Sequence, residues 1–169
     1  MAERGWIFLD GWALTFRSIE SEKRMEALSW RIFWNNYFYE SYLYGSKVDF
    51  VKKDEVHYKN DLMPPGTVIK TWRSRTNFQA DKTEPTLPLI DGESSYSFQL
   101  NCDSDVAGGL QLRLTFFDRN GQKIGEKVMR EREMILQCPI QTYNYDVSLI
   151  GSGAHEFCFH YIEITELTD

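Results

Sequence analysis

Three histidines and three cysteines are all that 169 residues offer toward metal or thiol chemistry. Cys102, Cys138 and Cys158 are widely spaced, odd in number and without a C-x-x-C pair. Neither a zinc ribbon nor a secreted disulfide framework is indicated, so they read as small buried hydrophobes in a reducing compartment. His155 and His160 are five apart, which on one strand sets them on opposite faces. A shared metal site is therefore not expected, and no cofactor is expected. No G-x-S-x-G elbow, Walker A loop, H-E-x-x-H or G-x-G-x-x-G run occurs. Nothing marks a nucleophile, so the chain is not expected to be an enzyme. A basic excess is also missing. Lys and Arg number 19 against 25 Asp and Glu, a net charge of -6, which excludes general nucleic-acid binding and a purely electrostatic grip on anionic lipid. The apolar run Trp6-Ile7-Phe8-Leu9 stops at Asp10. It is too short for a membrane span, and no small-residue cleavage site follows. A cytoplasmic location is expected.

What the chain has is aromatic residues, at 15%, and alternation. In Gly109 to Val128, Leu110, Leu112, Leu114 and Phe116 point one way, and Gln111, Arg113 and Thr115 the other. That period of two marks a strand with one buried face. Asp118-Arg119-Asn120-Gly121 then predicts a reversal through a tight primed turn at Asn-Gly, with a second strand to Val128 and a possible bulge at Gly125. Asp118-x-Asn120-Gly121 also resembles the opening of a calcium loop but lacks the later carboxylates. An isolated hairpin is marginal in water, so other strands must cover its apolar face.

The remaining sequence supplies them. Residues 1–28 read as an N-terminal extension, with an apolar docking segment from Trp6 to Phe16 and a helix-prone stretch from Ser18 to Leu28. Met25 offers an alternative start, which mass spectrometry of the native N-terminus checks. Residues 29–167 read as the folded domain. Trp30, Ile32 and Trp34 alternate with Arg31, Phe33 and Asn35, and Lys47 to Val51 resembles an edge strand. Lys52 to Asn60 is polar and reads as a loop. Pro64-Pro65-Gly66 is a rigid turn before a strand from Thr67 to Ser74 carrying Val68 and Trp72. Gln79 to Asp91, with two prolines, reads as a surface loop pinned by Leu87-Pro88-Leu89. Ser95 to Asn101 places Tyr96, Phe98 and Leu100 inside. Strands are also expected at Glu131 to Cys138, at Tyr143 to Leu149, and from Phe157 to Ile164, where a change of phase after Tyr161 suggests a bulge or a strand exposed on both sides. Eight or nine strands separated by turn signals predict an all-β, antiparallel sandwich of jelly-roll type.

The aromatics Trp30, Trp34, Tyr37, Tyr39, Tyr42, Tyr44 and Trp72 suit three uses. They can fill the sandwich core, form a partner interface, or stack on sugar rings. Arg73 and Arg75 flank Ser74 and would share a strand face, suited to a carboxylate-bearing partner or simply solvated. The candidate partner- or client-contact residues are therefore Trp34, Tyr44, Trp72, Arg73 and Arg75.

Several ordered segments carry a resemblance. They are YLYGSKVDF at Tyr42 to Phe50, NDLMPPGTVIKTWRS at Asn60 to Ser74, PTLPLIDGESSYSF at Pro85 to Phe98, LRLTFFDRNGQKI at Leu112 to Ile124, and YNYDVSLIGSGAHEFCFHYIEI at Tyr143 to Ile164. Together they resemble the third and smallest accessory Sec system protein of Gram-positive cocci. Such proteins work with a dedicated SecA motor and translocon to export serine-rich-repeat glycoprotein adhesins. The resemblance covers residues from about Ser29 to Leu167 and leaves 1–28 aside. It implies a carbohydrate-binding-module-like β-sandwich and a non-catalytic subunit that scaffolds two larger accessory Sec proteins. It further implies work beside the accessory SecA motor, engagement of unfolded serine-rich-repeat glycoprotein, and membrane contact that is peripheral and made through partners. The alternative is a free-standing carbohydrate-binding module for N-acetylglucosamine-type glycans, which rests on fold analogy.

Overall fold

The computed structural model describes residues 27–35 and 40–168. The expectations for the extension up to residue 26, and those for Tyr37 and Tyr39, lie outside the described residues. Among the described residues ten strands run from Ser29 to Leu167. They are β1 (Ser29–Ile32), β2 (Lys47–Lys52), β3 (Glu55–Lys59), β4 (Val68–Arg73), β5 (Ser95–Ser104), β6 (Leu110–Phe117), β7 (Lys123–Met129), β8 (Glu133–Gln137), β9 (Asn144–Gly151) and β10 (Glu156–Leu167). They form two antiparallel sheets. One has the order β2-β3-β10-β5-β8 with β1 also on β10; the other is β4-β9-β6-β7.

The first sheet is built on the long pairing of β10 with β5, from Phe157↔Ser104 to Leu167↔Ser95. β3 takes the N-terminal half of the other edge of β10 and β1 the C-terminal half. The register of β10 slips between Phe159 and Tyr161. His160 is the extra residue, which keeps Phe157 and Phe159 inside before the bulge and Ile162 and Ile164 inside after it. The change of phase read from the sequence is this bulge.

The second sheet contains the Gly109-to-Val128 hairpin. Leu110, Leu112, Leu114 and Phe116 of β6 face Tyr96, Phe98 and Leu100 of β5 across a continuous core, with Tyr145, Val147 and Leu149 of β9 beside them. Each such side chain contributes about 1.5–3 kcal/mol of burial. Ile124 is the unpaired residue of β7, because Phe116 meets Gly125 while Phe117 meets Lys123. The bulge expected at Gly125 is therefore present beside it.

Three local expectations are corrected, at Lys52 to Asn60, at the hairpin turn and in the loop after β4. The segment from Lys52 to Asn60 is not a loop but contains β3, which pairs with both β2 and β10. Val56 and Tyr58 point inward and Glu55, His57 and Lys59 outward, a short alternation outweighed by its polar half. The hairpin turn is not primed at both central residues. Within it only Gly121 has positive φ (78°), Gly121 N–H donates to the Asp118 carbonyl, and Asp118 N–H to the Gln122 carbonyl. That is a three-residue loop ending in a glycine at the left-handed position. Val68 turns outward, because a slip between Val68 and Lys70 directs Ile69 into the core instead. Finally, Phe78–Asp81 forms a single helical turn at the start of the expected surface loop, capped by the Asn77 side chain. Leu87 is buried as expected, but Leu89 is exposed.

A candidate partner-binding surface at the two ends of the sandwich

The aromatic residues separate into an interior group and an end group. Trp34 and Trp72 are only 3% and 1% exposed. Trp72 stacks on Phe159 at 5.4 Å and meets the edge of Trp34 at 6.2 Å. Trp34 stacks on Tyr58 at 5.9 Å, and Tyr58 on Phe157 at 4.9 Å. The Trp72 indole N–H, which a buried ring must satisfy, donates to the Phe33 carbonyl at 3.0 Å. These two tryptophans, expected at a contact surface, are core residues. They knit the entry segment after β1 onto both sheets.

Tyr44 is 80% exposed, as is Leu62, with Leu43 and Val68 also exposed. Behind them sits a buried side chain that sequence reasoning passed over, Asn60. Its amide nitrogen donates to the Tyr44 carbonyl (2.8 Å) and to Ser46 Oγ (2.9 Å), and its Oδ1 accepts from Leu62 N–H (2.9 Å). Its own N–H donates to the His155 carbonyl. One buried amide therefore ties the Tyr44 turn to the Leu62 turn. Gly45, at φ +68°, supplies the left-handed residue the first turn needs. Tyr58 supports the same turn through Ser46 and the Tyr42 carbonyl, and burial raises its phenol pKa.

The other end of the second sheet carries a cleft of about 570 Å³ between residues 73–81 and the 118–121 turn, with Asn144 on its floor. The Arg75 guanidinium lies over the Tyr143 ring at 5.0 Å and the Arg119 guanidinium over the same ring at 5.6 Å. Such pairs are worth about 0.5–1 kcal/mol when exposed. The carboxylates beside them are engaged by backbone. Asp118 Oδ1 accepts from Asn120 and Gln122 N–H, both at 2.8 Å, and Asp81 Oδ2 from Asn77 N–H at 2.9 Å.

Arg73 and Arg75 both line this cleft, but their expected common strand face does not exist. β4 ends at Arg73, whose guanidinium pairs with Glu40, while Arg75 sits past the strand in an exposed loop. Asp146, opposite Arg73, has its pKa raised because burial outweighs the pull of that guanidinium. Nearby Lys70 is buried, and desolvation lowers its pKa to about 8 against the opposing field of Glu40. Tyr44 belongs to the opposite end. β4 runs from Val68 beside one patch to Arg73 beside the other, and β6 spans the same gap, about 20 Å at the usual strand rise. Sequence reasoning also missed Arg119 and Tyr143. Arg119 had a signal, since a hairpin tip exposes its side chains; Tyr143 had none, because its neighbours come from pairing β6 with β9.

Cys102 and Cys138 are buried free thiols and Cys158 is half-buried. Burial pushes Cys102 up to about 11. Among the described residues no group of three or more His, Cys, Asp or Glu is placed to hold a metal ion, and no helix is long and apolar enough to cross a membrane.

Two antiparallel sheets around one aromatic core, with exposed loop side chains held at both ends, define an all-β sandwich module. The chain belongs to the family described as accessory Sec secretory system ASP3, whose model matches residues 41–166. It is 35% identical over 129 residues to an accessory Sec system protein of Streptococcus gordonii, covering 76% of this chain and 81% of that one. Two solved complexes contain similar chains. One is the accessory secretory protein 1, 2 and 3 structure of Streptococcus pneumoniae (33% identity, TM-score 0.78, 82% of this chain and 96% of that one). The other is the Glycosylation Associate Protein (Gap123) complex of Streptococcus agalactiae (33% identity, TM-score 0.78, 84% of this chain). This chain spans 46% of the S. agalactiae one.

Proposed function

We propose that this chain is a non-catalytic subunit of an accessory Sec complex. It scaffolds two larger accessory Sec proteins and helps them engage serine-rich-repeat glycoprotein for export by the accessory SecA motor. It works in the cytoplasm and meets the membrane only through those partners. The observation that carries this reading is the pair of exposed, internally braced patches at opposite ends of one sandwich, around Tyr44 and around Tyr143. Two separated patches suit a bridging subunit, and Tyr and Arg are the residue types enriched where binding energy concentrates. The origin of similar chains in multi-protein complexes supports it. The test is an affinity pull-down of the tagged chain from its own host's lysate, analysed by mass spectrometry. Co-elution of two larger accessory Sec proteins through size exclusion is expected. Recovery of the chain alone, together with binding to N-acetylglucosamine-bearing peptides in calorimetry, would overturn the scaffold in favour of a free carbohydrate-binding module.

A further inference from the structure

We infer that the cleft lined by Arg75 and Arg119, whose guanidiniums rest on the neighbouring Tyr143 ring, is the docking site for an acidic segment, bearing Asp or Glu side chains, of one of the two larger partners. The inference rests on the scaffold reading and adds to it the surface and the chemistry of the contact. The chain as a whole carries a net charge of -6, yet two guanidiniums are gathered on one tyrosine ring. Neither forms an ion pair among the described residues, whereas Arg31, which lies over Tyr161 in the same manner at 4.7 Å, also pairs with Glu163. A ring face attracts the cation but accepts no hydrogen bond in the guanidinium plane, and both arginines line the open cleft. Asp118 and Asp81 line the same cleft, and each directs one oxygen at backbone N–H groups of its own turn.

The two cations lie no more than about 11 Å apart, near the screening length of about 8 Å at physiological salt. Their mutual repulsion is therefore only partly screened, and a carboxylate held in the cleft they both line is attracted by both. Contact with the Tyr143 ring restrains each guanidinium in advance, which lowers the ordering cost of a bidentate Arg–carboxylate pair. Exposed Phe78 and the exposed edge of Tyr143 supply apolar area at the rim.

The experiment uses the full chain with both larger accessory Sec proteins of its own host. Affinity is measured by biolayer interferometry at low and high NaCl for wild type, R75E, R119E, the double reversal, the double Arg→Lys variant, and R31E as the matched reversal on the other sheet. Circular dichroism melts confirm that each variant is folded. The double reversal is expected to weaken binding roughly tenfold or more, since rim and interface charges act on encounter and register, and to flatten the salt dependence. Double Arg→Lys is expected to recover part of the affinity, and R31E to bind like wild type. A folded double reversal that binds within about twofold of wild type, with the same salt dependence, overturns the docking site while leaving the scaffold intact. Wild type that captures neither partner overturns the scaffold reading and this surface with it.

Discussion

Replacing Trp72 by Phe separates a structural role from a contact role at one of the residues that the sequence offered for recognition. The change keeps a six-membered ring against Phe159, which stacks at 5.4 Å, but removes three heavy atoms from a site 1% exposed. At about 0.8 kcal/mol for each buried carbon-sized group, that is roughly 2 kcal/mol. Loss of the indole bond to the Phe33 carbonyl adds about 1 kcal/mol. The sum, about 3 kcal/mol, is a large part of the 5–15 kcal/mol typical of a domain but not all of it. The variant should therefore fold. In a urea titration followed by far-UV circular dichroism, with m near 1–3 kcal/mol/M, the midpoint should fall by roughly 1–3 M at unchanged m. Partner capture by the folded variant should equal wild type. A midpoint within about 0.3 M of wild type would refute the burial argument. Normal stability with lost partner capture would return Trp72 to the contact surface.

Asn60→Ala removes three side-chain hydrogen bonds from a buried amide and should cost about 3 kcal/mol, with faster amide exchange at Leu62; unchanged exchange there would show that the Tyr44 and Leu62 turns stand without it. Gly92→Ala places a Cβ 2.4 Å from the Ile140 carbonyl oxygen, a backbone clash expected to cost about 1–3 kcal/mol and to lower Tm by roughly 3–10 °C; an unchanged Tm would mean the Ile140 loop yields freely. His160 has a raised pKa because Asp103 and the Asp54 carbonyl hold its ring. A raised folded value adds stability below the unfolded pKa of about 6.5 that is lost as pH rises through the folded value. The stability difference between wild type and His160→Gln should therefore be largest on the acid side and shrink as pH rises; a difference that is constant from about pH 5 to 8 refutes the linkage.

The sheets were legible wherever one strand face is dry. β5, β6 and β9 each alternate large apolar residues with polar ones because the facing sheet excludes water from one side only. β3 has the same period, but Val56 and Tyr58 are outnumbered by Glu55, His57 and Lys59, so composition concealed the pattern. The turn at 118–121 was legible as a reversal, though not in type. Asn-Gly serves a primed two-residue turn and a three-residue loop equally, and the choice is made by the Asp118 carboxylate accepting from Asn120 and Gln122. For Trp34 and Trp72 the sequence offered core and contact roles alike, because the choice depends on how the segment after β1 crosses between sheets. The Arg75–Tyr143–Arg119 group spans 69 positions and exists only once β4, β6 and β9 are paired.

That last group also shows why stability and recognition separate so cleanly in this architecture. A side chain in the core is coupled to many neighbours, so its loss is felt as unfolding before any partner is consulted. Arg75 and Arg119 lie past strand ends, over a ring that Arg75 and Arg119 only partly cover, in contact with solvent. Their removal forfeits about 0.5–1 kcal/mol each from the fold. The Tyr44 patch is about 20 Å away along the strands, beyond the range at which substitutions usually couple. Changes at the two ends should therefore combine additively in stability. Any non-additivity appearing only in the assembled complex would then have to arise from the partners that join them.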